Sequence, residues 1–143
     1  MERRMWTLLA IAAGGDSDVS PVQLQKGLFL LGAECPEGVA PGFYDFQPYD
    51  YGPFDAEVYR DARELESEGL ITIRPVPGQR WHDYRITSQG EQKRVELQDQ
   101  VSPEVWSHLQ AIMKSVRSQS FSALVRSIYQ RFPAMKANSV FQD

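Results

Sequence analysis

Cysteine is nearly absent from this chain: Cys35 is the only one in 143 residues. It cannot form an internal disulfide, and no second cysteine or histidine lies at a zinc-ligand spacing from it. A lone thiol fits a reducing cytoplasm. Histidine is almost as scarce. His82 and His108 lie far apart in sequence, and each reads as an exposed or ring-packed side chain rather than a base. The ten glycines are scattered among turns, and none falls into G-x-G-x-x-G or the G-x-x-x-x-G-K-S/T phosphate loop. No apolar run reaches the roughly 18 residues that a membrane span needs. "MERRMWTLLAIAAGGDSD" superficially resembles a signal peptide. Its apolar run is short, however, and no small-x-small cleavage pattern precedes Asp16, so it reads as a first amphipathic helix. Together these absences predict no cofactor, no metal, no membrane partner and no enzymatic activity.

Acidic residues are missing from one region. Residues 1–104 hold 10 Lys/Arg and 18 Asp/Glu, whereas 105–142 hold five bases and no acid, within a net charge of −4. Such asymmetry marks a nucleic-acid surface, or an interface that joins two copies or two halves, although a solvated basic helical face is the plainer reading.

What is present is an ordinary globular composition, 42% hydrophobic and 24% charged, enough for one core and one domain over 1–143. A first helix is predicted over about residues 3–13, ended by Gly14-Gly15. "SPVQLQKGLFLLG" predicts a second, with Ser20 as N-cap, Pro21 in the first turn and Gln23 completing a capping box. Leu24, Leu28 and Leu31 should face the core, and Gly27 permits close helix packing. Residues 32–52 form a connector, partly extended. A third helix is expected from Pro53 or Asp55, with Phe54, Val58, Ala62 and Leu65 as its stripe and Gly69 as its end. "LITIRPVPGQRWHDYRIT" reads as a β-hairpin. Helices from Thr87 or Ser88, from Ser102 and from about Phe121 complete the chain. Three helices followed by a two-stranded wing predict an α+β, mainly α fold: a winged helix-turn-helix core with residues 102–143 as a helical extension packed on it.

Two binding surfaces follow. "FYDFQPYDYGPF" packs six aromatic residues into a dozen positions and leads into a carboxylate-rich helix. Phe46, Tyr49, Tyr51 and Phe54, with Glu57, Asp61 and Glu64, are candidates for a protein-docking surface, since tyrosine is enriched at hot spots. The competing expectation is that about half of these rings cover the core. The acids also suit a surface lattice in which Arg60 pairs with Glu57 and Glu64. DNA binding is the alternative. Six carboxylates and two arginines between 55 and 68 make the third helix a poor reader of phosphate-lined grooves. Contacts would instead come from the wing, through Arg74, Gln79, Arg80 and Arg85, and from Lys114, Arg117, Arg126 and Arg131. A third expectation is a homodimer through the apolar stripes of the C-terminal helices.

At Leu24-Gln25-Lys26, at Tyr51-Gly52-Pro53, and at Tyr129 to Pro133 with Asn138-Ser139, the chain resembles the YwgA-like bacterial proteins and the Panacea-type (SocA-like) domain. The resemblance covers about residues 20–140. It implies a mainly helical fold with a small sheet, and a role in binding a partner protein from a toxin–antitoxin, phage-defence or proteolytic-adaptor system. Phe132 stands where the group often has tyrosine, and Met135 departs from its acidic pattern. The resemblance carries over no catalytic residue.

Overall fold

Apolar residues at helical spacing set the first element. In the computed structural model, which describes residues 1–142, they form α1 (Arg3–Ala12), buried without interruption from Met5 to Ile11. Gly14 and Gly15, at φ +89° and +99°, then turn the chain in a conformation that glycine adopts freely. In α2 (Pro21–Glu34) the Ser20 hydroxyl accepts from Gln23 N at 3.2 Å, and the Gln23 side chain accepts from Ser20 N at 3.0 Å, which completes the expected capping box. Leu24, Leu28 and Leu31 are fully buried.

A single helical turn, α3 (Pro36–Val39), precedes a hairpin of β1 (Gln47–Tyr49) and β2 (Gly52–Phe54). This decides between the two expected starts of the next helix, against Pro53 and for Asp55. Pro53 and Phe54 are paired strand residues, and α4 (Ala56–Ser67) begins only after Asp55. The extended backbone of Asp55 and its carboxylate, which accepts from Glu57 N at 2.9 Å, make it the N-cap. Val58, Ala62 and Leu65 remain the buried stripe.

β3 (Ile71–Pro75) and β4 (His82–Ile86) form the second antiparallel hairpin, with Ile73 opposite Tyr84. Both of its edges are engaged. Val19 and Tyr84 exchange backbone hydrogen bonds at 2.9 and 2.8 Å, and Ile73 N donates to Glu66 Oε2 at 3.0 Å. α5 (Ser88–Glu96) is capped by Thr87. α6 (Pro103–Ser118) is capped by Ser102, and α7 (Phe121–Arg131) by Ser120.

The chain is thus α+β and mainly helical, with two small antiparallel hairpins. Among the described residues, no helix is long and apolar enough to cross a membrane. Leu109, Ile112 and Val116 of α6, and Leu124, Val125 and Ile128 of α7, are buried within this chain. The stripes expected to pair two copies are therefore already covered. Phe121, expected on the buried stripe, is instead 41% exposed.

Two glycines permit close approach. A Cβ on Gly27 would overlap the Met113 sulfur of α6, which can shift, whereas one on Gly90 would overlap the backbone carbonyl of Leu70, which cannot. Gly90→Ala is expected to destabilise the fold by about 2–3 kcal/mol through overpacking. Gly78→Ala faces open space at φ +79° and should cost only about 1 kcal/mol. Urea unfolding of the two variants measures the contrast.

Candidate functional site

Glutamine is a poor choice for a helix interior unless both ends of its amide find partners. Gln25 on α2 is 1% exposed and satisfies both ends on one residue: Nε2 donates to Asp55 O at 2.9 Å, and Oε1 accepts from Asp55 N at 3.0 Å. The neighbouring Lys26 Nζ donates to Pro53 O at 3.3 Å. From the other end of the chain, Asn138 Nδ2 donates to Pro48 O at 3.3 Å, and Val140 N donates to Asp50 O at 2.9 Å. The Tyr129 hydroxyl donates to Ser139 Oγ at 2.6 Å, and Ser139 Oγ reaches Asp50 O at 3.3 Å. A Cβ on Gly52 would touch both the Tyr129 ring and the Lys26 side chain. The three stretches that carry the family resemblance therefore meet in space, and their meeting point is the β1–β2 hairpin.

That clamp decides which aromatic rings are core. Tyr44 is buried. Phe43 lies edge-on to Trp6 at 6.2 Å, and Phe46 lies edge-on to Phe29 at 5.7 Å. Phe46 is thus part of the packing, a correction to its candidacy as a docking residue. Phe54 is half-buried, stacked on Tyr49 at 5.0 Å and edge-on to Tyr59 at 5.6 Å. Tyr49 and Tyr51 remain 53% and 43% exposed at the hairpin tip. Tyr51 meets Phe121 edge-on at 5.2 Å, and Phe121 stacks on Phe141 at 6.2 Å. Trp81, immediately before β4, is 43% exposed. Tyr51, Phe121, Trp81 and Val76 wall a groove of about 480 Å³, whose only charged lining groups are Asp18 and Asp83. Sequence reasoning missed Trp81 and Phe121 as site residues. Their signal was a tryptophan beside the hairpin turn and a phenylalanine directly after an N-cap, both in positions that solvent reaches.

The carboxylates of α4 face a different task. Asp61 is 5% exposed. Its carboxylate accepts from Arg3 Nε at 2.9 Å, from Arg3 Nη2 at 3.2 Å and from the Tyr44 hydroxyl at 2.6 Å. The Tyr44 proton is spent on Asp61, so Thr7 must donate its own across 2.6 Å. Burial first, and then the bond to Asp61, push the Tyr44 phenol well above its ordinary range. Glu57 accepts from Arg3 at 3.1 Å and pairs with Arg60 at 3.3 Å. Glu68 pairs with Arg4 through two bonds at 2.6 and 3.0 Å, and that contact holds its carboxyl below the usual range. Asp61 is therefore a core residue and not a docking residue, because its burial leaves no oxygen for a partner. Glu57 is largely committed to α1. Glu64 is exposed, and the expected Glu64–Arg60 pair is not formed among the described residues. The acidic face expected of this helix is substantially neutralised by Arg3 and Arg4.

The basic residues are divided in the same way. Arg74, Gln79 and Arg80 are exposed around the tip of the β3–β4 hairpin, and Lys114 is exposed on α6. Arg85 pairs with Asp18 at 2.5 Å. Arg131 reaches Glu34 at 3.4 Å and lies over the Phe132 ring at 5.1 Å. Arg126 is exposed on α7 and has an interaction within the chain. Arg117 is half-buried and donates to the Ile11 carbonyl at 3.1 Å; burial lowers its pKa. Arg117 is thus a correction to the nucleic-acid set, since its guanidinium is turned into the chain. His108 reaches Glu34 at 2.9 Å.

No family model matches the chain, and no curated protein matches it.

Two expectations follow. Asp61→Ala leaves Arg3 and Tyr44 without their acceptor and should destabilise by roughly 2–4 kcal/mol, while Tyr44→Phe should cost about 1 kcal/mol; urea midpoints test both. Lys26, 4% exposed, is brought down by burial to about 8 from its ordinary 10.5. Below about pH 8 both folded and unfolded chains carry this proton. As pH rises past that value the folded chain releases it first, so the unfolded chain binds more protons and stability increases. The raised tyrosine groups act oppositely above about pH 10. The stability of wild type relative to Lys26→Met should therefore rise between about pH 8 and 10, read by denaturation at each pH.

Proposed function

We propose that this chain is a non-enzymatic protein-interaction module, adaptor- or antitoxin-like, on a winged-helix scaffold. The order of α1, α2 and α4 followed by the β3–β4 hairpin supports the scaffold, with the C-terminal helices packed on it in one domain. The YwgA-like and Panacea-type resemblance supports it too, since the stretches that carry it share one meeting point. Its partner is a protein, a toxin or a component of a protease system, met in the cytoplasm.

One observation carries this reading. Tyr51, Trp81 and Phe121 come from three separate elements and expose their rings around a single groove. Aromatic rings are normally covered, and a patch of them with few rotatable bonds is a low-entropy anchor for another protein.

A second reading, DNA binding, draws on the exposed Arg74, Gln79 and Arg80 at the hairpin tip. It lacks the help of Arg117, whose guanidinium is turned into the chain, while Arg85 is paired with Asp18 at the surface.

The deciding experiment is affinity capture from the native host with wild type, Tyr51→Ala and Trp81→Ala, at matched thermal midpoints. The variants are expected to lose the partner protein at least tenfold, as truncated hot spots do. An identical partner list for all three proteins sinks the reading. A duplex-DNA shift that weakens steeply with salt and vanishes in Arg80→Ala establishes the DNA alternative instead.

A further inference from the structure

The groove between the two hairpins has a charge pattern as well as a shape, and the class of occupant inferred from that pattern rests on the protein-binding reading above. At about 480 Å³ it falls within the roughly 300–1,000 Å³ of ordinary ligand pockets, room for a few side chains rather than a folded surface. Tyr51, Val76, Trp81 and Phe121 give it apolar walls. No lysine or arginine lines it, and Asp18 and Asp83 do.

The two acids differ. Asp18 is engaged by Arg85 at 2.5 Å. Asp83 has no ion pair among the described residues, although Arg74 stands opposite it in the strand register. Its Oδ1 is buried with no hydrogen-bond partner. Burial, and then the nearby Asp18, raise the Asp83 pKa, while a hydrogen bond from Trp81 opposes them. Oδ1 is closed to solvent, so what an arriving group can supply is positive charge beside the carboxylate, which offsets the burial and the Asp18 charge that disfavour its ionised form. An anionic ligand, nucleic acid included, would meet only repulsion from the two acids that line this groove.

We propose that the groove takes a segment of a partner protein in which a lysine or arginine adjoins a large apolar side chain. The apolar group enters between Tyr51, Trp81 and Phe121, and the cation stands on the side of the groove that Asp83 lines. Trp81 serves both halves, as a wall for the apolar group and as a π face beside the cation.

The test is selection of a random twelve-residue peptide library against the immobilised full chain. Selected peptides are then titrated by fluorescence anisotropy against wild type, Trp81→Ala, Phe121→Ala and Asp83→Asn, each checked for an unchanged circular dichroism spectrum. Enriched peptides should carry Lys or Arg next to an aromatic or large aliphatic residue. Trp81→Ala should abolish their binding. Asp83→Asn should weaken it about tenfold, as should replacing the peptide's cation by Gln, and the two changes together should weaken it little further. Groove-dependent peptides without a basic preference, or ones indifferent to Asp83→Asn, overturn the cation assignment and leave the protein-binding reading standing. Peptides untouched by both Trp81→Ala and Phe121→Ala, or an empty selection, overturn both. Sedimentation that shows a dimer dissolved by Trp81→Ala assigns the groove to a second copy and overturns the proposal.

Discussion

The two-way hydrogen bond between the Gln25 amide and the backbone of Asp55 is the constraint on which much of this molecule depends. Gln25 is 1% exposed, and an amide so buried is tolerable only when both of its ends are met. Meeting them on one residue fixes the point where β2 gives way to α4. Asp55 can then place one carboxylate oxygen on Glu57 N and the other on Asp45 N, each at 2.9 Å, so that one residue starts the helix and anchors the connector before the hairpin. Lys26, one position on, takes the carbonyl of Pro53 and makes the same strand a dependent of α2. With the hairpin held on one side by α2 and on the other by residues 138–140, its tip has little freedom, and Tyr49 and Tyr51 stand out from it as fixed projections.

A second buried polar unit joins the other half of the α4 face to the first helix. Arg3, Tyr44, Thr7 and Asp61 belong to three elements and satisfy one another almost completely. Such a unit adds little to stability beyond what apolar packing would provide, but a shift of α1 against α4 would leave its buried members without partners. The same arginines withdraw charge from the outer face of α4. Glu57, Asp61 and Glu68 are thus paired with α1, while Glu64 and Glu66 remain exposed beside Arg60 and Arg63.

Much of the architecture was legible because it is written locally. The Ser20, Thr87 and Ser102 caps each sit three residues before the backbone N–H they accept from, and the helices follow from them. The β1–β2 hairpin was not legible, for a physical reason: Pro48 and Pro53 read as strand breakers. They are paired with each other across the hairpin, one step from the two-residue turn, at the position of an antiparallel ladder where N–H groups face away from the partner strand and none is missed. The candidate site was legible only in part. Tyr49 and Tyr51, named as candidates, are exposed, but Asp61 was misplaced because its partner Arg3 lies 58 residues away, and counts of charge along a helix contain no information at that range. Trp81 and Phe121 were missed because their significance lies in standing beside Tyr51, a relation that only the packed chain creates.

The groove they form has a further property that distinguishes it from a shallow apolar scar. Its walls come from the tips of the two hairpins and the first turn of α7, and each wall is anchored separately: the first by the Gln25 and residue 138–140 clamp, the second by the Val19–Tyr84 bridge, the third by the Ser120 cap. Rings held this way lose little conformational freedom when something covers them, which removes one of the main opposing terms in association. Between those walls the polar lining is uneven, with Asp18 compensated by Arg85 and Asp83 left with an unmet oxygen. A site that is rigid, apolar on three sides and short of one positive charge is selective by construction. It favours an apolar segment that brings a cation and penalises one that brings an acid, because the acid would be desolvated against a carboxylate that already has one oxygen unmet.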